Sequence, residues 1–430
     1  MKLKFQTIIL IAAAAVAVSA QSADVNQLLR SSADLIRSGK LSEAESLLRK
    51  TVASHPRNAD ARNLLGVVLD GKGDFAGAEK QYRSAIKLAP GALSPLANLG
   101  VLLVHTRRYE QAAKTFRQVL KADPSHPQAT INLGFVSATL GKYEEAAELL
   151  GRARTYAPGD YGVLFNLGLS LFRLGRFEDA KSALYQAVSS NAAAAEPRYY
   201  LGLIAYAGGE DGAAAANFEA ALDARPTFSE ASFMLGEVLR RAGRLDEAKA
   251  RYKDALVQDP GKAINYLRLG GVYISTRETE KALGLFSQAS ERFPENPAFK
   301  FLLAATARST GDYDRAIDAV KKALALKESA DALGLYGALL ADRGEFKQAE
   351  PLLRKAIALN PDHFNSLYDL GKLLVKQKRF SDALPFLQRS SSLYPQNPDV
   401  HYQMFIAYTR LGRKSDADRE FKLFKEPPTQ

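Results

Sequence analysis

The chain has 430 residues, of which 47% are hydrophobic, and its 58 basic and 47 acidic residues give a formal net charge of +11. The absence of cysteine excludes disulfides, thiolate metal sites and a cysteine nucleophile. Basic and acidic residues are interspersed without a basic block, so we do not expect nucleic acid as a partner.

The first twenty residues have the pattern of a secretory signal peptide. Lys2 and Lys4 precede an apolar run at residues 8–18, and small residues lead up to Ala20. The apolar run is shorter than the ~20 residues that a membrane-spanning helix needs, which argues against an uncleaved anchor. We therefore predict cleavage after Ala20, no transmembrane anchor after this cleavage, and a periplasmic or secreted mature protein.

From about residue 25 onward an alanine recurs with a period of 34 residues. The alanines that share this phase are Ala44, Ala78, Ala112, Ala146, Ala180, Ala214, Ala248, Ala282, Ala316, Ala349, Ala383 and Ala417. One spacing, from Ala316 to Ala349, is a residue shorter than the others. A fixed set of residue types surrounds the alanine, as in Leu65, Gly66, Gly73, Tyr82 and Pro90. The chain is therefore an array of internal repeats.

The small residues of the pattern have a physical role in a pair of helices. Glycine at the eighth position, as at Gly66, predicts that the first helix closely approaches the alanine of the second, where a larger side chain would cost about 1 to 3 kcal/mol. Glycine at the fifteenth position, as at Gly73, predicts a left-handed cap that ends the first helix. Proline near position 32, as at Pro90, ends the second helix. Each repeat therefore predicts two helices joined by a tight turn.

The period and its residue types resemble the tetratricopeptide repeat, and the resemblance covers residues 25–424. It implies an all-α fold, a right-handed superhelical solenoid of about twelve helix-turn-helix units. The predicted organisation is a signal peptide at 1–20, a continuous array at 21–424 and a carboxyl-terminal tail at 425–430. The predicted units are 25–58, 59–92, 93–126, 127–160, 161–194, 195–228, 229–262, 263–296, 297–329, 330–363, 364–397 and 398–424.

No feature of the sequence predicts catalysis, a metal or a cofactor. The repeats resemble the amino-terminal arm of O-linked N-acetylglucosamine transferases, whose activity belongs to a separate glycosyltransferase domain, and the repeats here leave no length for such a domain. A phosphate-loop spacing at residues 66–72 lacks the Ser or Thr that would bind magnesium. The histidines lack metal-binding spacing and are expected at the surface or in packing; they are His55, His105, His126, His363 and His401. We therefore expect a protein that is not an enzyme.

The resemblance also implies that the first helices line a concave groove, with positions 2, 5, 6, 9, 12 and 13 of each unit facing inward. Asn98, Asn132 and Asn166 occupy position 6 in three successive units. Grooves of this family often use such asparagines to hold an extended peptide backbone, because a carboxamide donates and accepts hydrogen bonds at once. An equally acceptable interpretation is that Asn-Leu-Gly is a favoured repeat sequence without a ligand.

Three hydrogen bonds of about 1 kcal/mol each supply less than the roughly 4.1 kcal/mol of millimolar affinity, so an apolar contribution is needed. Phe165, Tyr199 and Phe233 are candidates for it at position 5, although aromatic residues at helical spacing also form cores. Arg241 and Arg268 are candidates for binding an acidic side chain or a carboxylate.

We therefore interpret the chain as a non-catalytic protein–protein interaction scaffold of the cell envelope that binds an extended peptide segment in its concave groove. The partner would be a protein, either an extended segment or an envelope complex. One alternative is a polysaccharide-binding, export-associated protein whose groove aromatics stack on sugars; another is an accessory subunit of an enzyme complex. Phe421 and Phe424 in the last helix would either fold back as a cap or dock on a partner.

Overall fold

A computed structural model describes residues 23–426, and in that range the chain forms 24 α-helices and no strand. The predicted signal peptide and residues 427–430 of the predicted tail lie outside the described residues. The helices are α1 (Ala23–Arg37), α2 (Leu41–Ser54), α3 (Ala59–Gly71), α4 (Phe75–Leu88), α5 (Leu93–His105), α6 (Tyr109–Ala122), α7 (Pro127–Thr139), α8 (Tyr143–Ala153), α9 (Tyr161–Arg173), α10 (Phe177–Ser190), α11 (Ala195–Ala207), α12 (Asp211–Ala224), α13 (Ser229–Arg241), α14 (Leu245–Gln258), α15 (Ala263–Ser275), α16 (Thr279–Arg292), α17 (Pro297–Ser309), α18 (Tyr313–Leu326), α19 (Ala330–Asp342), α20 (Phe346–Leu359), α21 (Phe364–Lys376), α22 (Phe380–Leu393), α23 (Pro398–Arg410) and α24 (Lys414–Lys425).

The helices pack in consecutive pairs within two compact parts of the chain. The amino-terminal part ends at Met234 and the carboxyl-terminal part begins at Leu235. Each helix packs on the next one along the chain, from α1 to α12 in the first part and from α14 to α24 in the second. First helices of successive repeats also touch, as α3 and α5 do. The prediction of an all-α repeat fold with about twelve helix pairs is confirmed.

A left-handed residue at position 15 ends the first helix of every repeat, as predicted. At Gly73, which has a φ of 83°, the backbone N–H of Asp74 donates to the carbonyl of Leu69 over 2.9 Å and closes the cap. Nine repeats have glycine at this position, with φ between 72° and 84°. Three repeats hold a bulkier residue in the same conformation, with φ of 59°, 60° and 63°; these residues are Arg107, Arg277 and Lys378.

The glycine at position 8 faces a large side chain of the second helix, close to the turn that holds the recurrent alanine. A Cβ added at Gly66 would lie 2.6 Å from the ring of Tyr82, and one added at Gly270 would lie 2.3 Å from Phe286. Tyr82 and Phe286 stand at position 24, one helical turn beyond the alanine. The predicted close approach is confirmed, and the alanine is part of it: a Cβ added at Gly337 would lie 3.2 Å from the carbonyl oxygen of Ala349, and one added at Gly371 would lie 3.6 Å from that of Ala383. A helical side chain leans toward the amino terminus and covers the turn before its own Cα, so position 24 covers the turn where the alanine lies.

The shortened ninth repeat changes the link between two helices. The link before α21 has four residues, 360–363, and is closed by a hydrogen bond from the N–H of His363 to the carbonyl of Asn360. The link before α19 has three residues, 327–329, and forms no such turn. Ser329 starts α19 instead, because its Oγ accepts a hydrogen bond of 3.2 Å from the N–H of Ala332.

The last helix packs its aromatic side chains on the helix before it. The ring centroids of Phe424 and Tyr402 are 5.1 Å apart, and those of Phe421 and Phe405 are 4.9 Å apart. Phe405 occupies position 8, which is glycine in most repeats. These contacts cover part of the apolar surface of the last helix, and Phe421 and Phe424 remain half-buried, so docking of this end on a partner stays a prediction.

Candidate functional site

The inward positions of three neighbouring first helices enclose a hollow of about 490 Å³ in the amino-terminal part. These helices are α3, α5 and α7, and α5 touches both of the others. Residues at the inward positions 2, 6, 9, 12 and 13 line this groove hollow, namely Gln128, Asn98, Val67, Val101, Asp70 and His105. The hollow is also lined by Gly71, Lys72, Gly73, Phe75 and Tyr82, and the use of the inward positions in binding stays a prediction.

One wall of the groove hollow is apolar. Val67 and Val101 line it, together with Phe75 and Tyr82 from α4. Tyr82 is only 1% exposed, and burial raises the pKa of its hydroxyl above the usual range. Phe75 is 41% exposed, so part of this wall is open to an incoming apolar group.

The groove hollow also carries a hydrogen-bonded pair of ionisable side chains. His105 Nδ1 lies 3.0 Å from Asp70 Oδ1. This hydrogen bond raises the pKa of His105, and burial partly opposes the change. Lys72 also lines the hollow, but its Nζ is held 2.6 Å from Glu45 Oε2. Asp70 and His105 are therefore paired with each other, and Lys72 is paired with a residue outside the lining.

The three predicted asparagines differ in how their carboxamides are used. Asn98 lines the groove hollow and donates from Nδ2 to Oδ1 of Asn63 over 3.0 Å. Asn166 donates from Nδ2 to the carbonyl of Gly162, four residues earlier, over 2.8 Å. Asn132 is half-buried and has no hydrogen-bond partner among residues 23–426. All three keep a carboxamide oxygen for another group, and their role in binding remains a prediction.

The predicted aromatic residues contribute largely to helix packing. Phe165 is 8% exposed and stacks on Tyr161 with a centroid distance of 5.8 Å. Tyr199 is half-buried, and its ring lies 5.0 Å from that of Phe228. Phe233 is also half-buried. Phe165 therefore offers little ring surface to a ligand.

The predicted arginines lie in the carboxyl-terminal part, beside a buried carboxylate. Glu237 is 6% exposed, and it accepts hydrogen bonds from Arg268 Nε over 2.7 Å and from Tyr252 Oη over 2.6 Å. Arg240 Nη2 adds a third bond to it over 3.2 Å. Burial, with a smaller contribution from Glu237, raises the pKa of Tyr252. Arg268 therefore already has an acidic partner within the chain, and Arg241, which is exposed, also has an interaction within the chain.

Sequence reasoning missed three polar residues of the groove hollow, Asp70, His105 and Gln128. His105 was expected at the surface or in packing, and Asp70 belongs to the discounted phosphate-loop spacing. All three stand at inward positions 12, 13 and 2. Their signal in the sequence is their place at the positions predicted to face inward, where only asparagines, aromatic residues and arginines had been considered as candidates.

Two further findings concern the same described range. Among residues 23–426, no group of three or more His, Asp or Glu side chains could hold a metal ion. No helix in this range combines the length and the apolar character needed to cross a membrane.

Two sequence profiles described as tetratricopeptide repeat match most of the chain. One matches residues 32–92, 98–161 and 165–227, and the other matches 205–270, 239–307, 273–339 and 340–401. A comparison with curated proteins found no match.

Several solved structures are similar in fold. The APC/C hetero-tetramer Cut9–Hcn1 is 12% identical in sequence, with a TM-score of 0.46, and the match covers 95% of each chain. MamA is 26% identical, with a TM-score of 0.36, over 38% of this chain and 95% of its own. YrrB, described as a TPR protein with an unusual peptide-binding site, is 21% identical, with a TM-score of 0.36, over 43% of this chain and 96% of its own.

The structural repeat and the profile matches agree. Proteins built from this repeat generally serve as scaffolds for protein–protein interaction, and nothing in residues 23–426 points to a catalytic domain. The twelve left-handed turns and the paired helices recur with the period that both profiles describe. The chain belongs to the tetratricopeptide repeat family.

Proposed function

We propose that the chain is a non-catalytic scaffold whose groove hollow binds an extended segment of a partner protein. The observation that carries this proposal is the composition of the hollow, which has an apolar wall beside hydrogen-bonding side chains. Such a site can take one apolar side chain of a peptide while neighbouring carboxamides bind the backbone on either side of it. The asparagines at position 6 continue this arrangement along α7 and α9.

Neither hydrogen bonds nor apolar burial alone supplies enough free energy for binding. Hydrogen bonds to Asn98, Asn132 and Asn166 would contribute about 1 kcal/mol each. Burying one Leu- or Phe-sized side chain against Val67 and Val101 would add about 1.5 to 3 kcal/mol. The sum of roughly 4.5 to 6 kcal/mol corresponds to a Kd on the order of 0.1 to 1 mM, before the cost of ordering the peptide is subtracted. Tighter binding therefore requires contacts along further repeats.

The test uses peptides selected from a random phage-displayed library on purified residues 21–430. Their affinities for the wild-type chain and for the Asn98→Ala, Asn132→Ala double variant are measured by fluorescence anisotropy. We expect the double variant to bind about tenfold more weakly or worse, because two backbone contacts are lost. Its helix content, measured by circular dichroism, should stay unchanged because both side chains are only half-buried.

A matched control separates the groove from asparagine loss in general. Asn217 on α12 donates to the carbonyl of Ala213 over 2.9 Å, which is the same intrahelical bond that Asn166 makes to Gly162 on α9. We expect Asn166→Ala to weaken binding and Asn217→Ala to leave it unchanged. Unaltered affinity for every selected peptide in the double variant and in Val101→Glu would show that the groove proposal is wrong.

We further propose that the mature protein works in the cell envelope or outside the cell. The support for this proposal is the charged, apolar and small-residue pattern of residues 1–20. When the whole chain is expressed, mass spectrometry of the exported protein should show an amino terminus at Gln21. Retention of residues 1–20 on a cytoplasmic protein would contradict this location and would leave the groove proposal untouched.

A further inference from the structure

A second hollow, of about 640 Å³, lies in the carboxyl-terminal part where the links before α21 and α23 meet. Asn360 and His363 line it from one link, and Tyr394, Gln396 and Asn397 line it from the other. Its volume falls within the roughly 300 to 1,000 Å³ usual for sites that bind small molecules. This link hollow shares no lining residue with the groove hollow, so it is a separate candidate site.

An exposed aromatic ring stands in the link hollow. Tyr394 is 51% exposed, and its ring meets that of Phe364 edge to face, with centroids 4.7 Å apart and an interplanar angle of 70°. Phe293 occupies the same position in the eighth repeat, but there the ring stacks on Phe299 at 5.3 Å and contributes to packing. Tyr394 is therefore packed against Phe364 and still offers ring surface to a ligand.

Amide side chains surround this ring. The Oδ1 of Asn360 accepts from the backbone N–H of Asp362 over 3.1 Å, and the Oδ1 of Asn397 accepts from two N–H groups at the start of α23 over 3.0 and 3.3 Å. These bonds orient both amides, whose Nδ2 donors have no partner among residues 23–426. Asn365 is exposed and Gln396 is half-buried, and neither has a partner in the described chain. The hollow therefore offers oriented amide donors beside two further amides that have no partner in the described chain.

The acidic groups at the link hollow are already paired. Asp362 Oδ1 lies 2.5 Å from Arg389 Nη2, and Asp331 Oδ1 lies 3.0 Å from His363 Nε2. A cation would have to compete with these internal partners, and an anion would meet two carboxylates. The charge pattern therefore favours an uncharged ligand.

We propose that the link hollow binds a neutral carbohydrate, with Tyr394 stacking on a sugar ring and the surrounding amides hydrogen-bonding to neighbouring hydroxyls. A pyranose presents an apolar C–H face and a rim of hydroxyls that donate and accept, which matches a half-exposed ring beside planar amides. The carbohydrate alternative predicts that the groove aromatics Phe165 and Phe233 stack on sugars, but the ring of Phe165 is 8% exposed and that of Phe233 is half-buried. The proposal goes beyond peptide binding and concerns a different part of the chain.

The test measures binding of three neutral oligosaccharides, maltohexaose, cellohexaose and chitohexaose, to residues 21–430 by saturation-transfer NMR and titration calorimetry. We expect at least one of them to bind the wild-type chain. Tyr394→Ala should weaken this binding by about tenfold or more, whereas Tyr394→Phe should retain most of it because the ring remains. Asn365→Ala should weaken it severalfold, and this variant does not depend on replacing a packed side chain.

Two controls make the outcome decisive. Tyr185 on α10 is 54% exposed and lines neither hollow, so Tyr185→Ala should bind like the wild type. The Asn98→Ala, Asn132→Ala variant should also keep its carbohydrate affinity. The proposal is overturned if none of the three sugars binds, or if binding survives both Tyr394→Ala and Asn365→Ala. Loss of peptide binding in Tyr394→Ala without any sugar binding would assign the hollow to peptides instead, and this result would also overturn it.

Discussion

Two adjacent glycines in α15 have opposite surroundings. A Cβ added at Gly270 would lie 2.3 Å from Phe286, whereas one added at Gly271 would have no atom within 4 Å. We expect Gly270→Ala to lower the free energy of unfolding by about 1 to 3 kcal/mol through overpacking. Gly271→Ala should raise it by about 0.5 to 1 kcal/mol, because glycine inside a helix is less favourable than alanine. Urea unfolding followed by circular dichroism measures both.

The two substitutions serve as each other's control, since they add the same methyl group to neighbouring positions of one helix. Equal effects of the two would show that α15 and α16 can separate without cost. The helix-crossing argument for position 8 would then fail.

At position 15 the repeat period predicts a left-handed backbone conformation that the residue type alone does not. In nine repeats glycine at this position indicates the left-handed turn, whereas Arg107, Arg277 and Lys378 adopt the same conformation with a Cβ-bearing side chain. Taken alone, none of these three residues predicts a positive φ, which costs a side chain with a Cβ about 1 kcal/mol or more. Only their place in the 34-residue period identifies them.

At the scale of helices, glutamates at position 21 join successive repeats. Glu79 on α4 accepts from Arg83 in the same helix over 2.6 Å, and from Arg108 at the start of α6 over 2.8 Å. Glu350 on α20 makes the same two bonds, to Arg354 and Arg379, each over 2.7 Å. The hydrogen bond from Arg108, opposed by burial, lowers the pKa of Glu79 to about 2.

This pKa predicts how the contribution of Glu79 changes with pH. Because the pKa is lower in the folded chain than the 4.5 of an unperturbed glutamate, the pair stabilises the folded state above pH 4.5, and this stabilisation is lost as the pH falls through about 2. Glu79→Gln should lower the free energy of unfolding by about 1 to 2 kcal/mol at pH 7, after allowing for solvent screening. The difference in the free energy of unfolding between Glu79→Gln and the wild type should fall at about pH 3 to less than half its value at pH 7, as measured by urea unfolding.

Glu43 provides the comparison for Glu79. It is 63% exposed and lies 3.7 Å from Lys40 in the same turn, so Glu43→Gln should change stability little at either pH. A pH-independent effect of Glu79→Gln would show that its side chain acts through packing rather than charge.

A buried carboxylate on α21 shows the opposite dependence on pH. Asp369 is 12% exposed and lies 4.0 Å from Arg308. Burial, with added repulsion from Asp342, raises the pKa of Asp369 to about 6, although Arg308 opposes the change. Since the folded pKa exceeds the reference value of 3.8, the contribution of Asp369 to stability is most favourable below pH 3.8 and is lost as the pH rises through about 6.

Asp369→Asn should therefore raise the free energy of unfolding at pH 8 by about 1 to 3 kcal/mol and change it little at pH 4. Thermal unfolding of variant and wild type at both pH values measures the difference. Asp318, which is 64% exposed and paired with Lys322 within α18, is the matched position, and Asp318→Asn should show no such pH-dependent gain. A lower midpoint for Asp369→Asn at pH 8 would mean that the charge at this site stabilises the fold.

Across the whole molecule, the repeat period predicts the helices far better than it predicts the sites. The helix pairs follow from local signals, such as glycine caps and apolar spacing, that lie within one repeat. The groove hollow depends on contacts between repeats, such as Asn98 with Asn63 and His105 with Asp70, each 35 residues apart. The link hollow depends on two separate links coming together. Such pairings are set by packing geometry, which residue types alone do not specify.

A repeat protein in which each helix packs mainly on its neighbours should respond locally to damage. Gly100→Ala would bring a Cβ within 2.5 Å of Phe116, and Gly371→Ala would do the same against Leu387. We expect Gly100→Ala to accelerate amide hydrogen exchange in α4 to α7 and to leave α19 to α24 unchanged, because the stability of such arrays is a sum of repeat and neighbour contributions. Gly371→Ala should give the mirror pattern, with faster exchange in α20 to α23.

Hydrogen-exchange mass spectrometry on both variants distinguishes local from global coupling. Gly100 and Gly371 lie in different compact parts of the chain, which meet at Met234 and Leu235 in the sequence. We therefore expect each substitution to change exchange only within its own part. If either variant accelerated exchange equally along the whole described chain, residues 23–426 would unfold as one cooperative unit. A ligand bound in the groove hollow would then also protect amides in the carboxyl-terminal part, whereas local coupling confines its protection to the repeats that it touches.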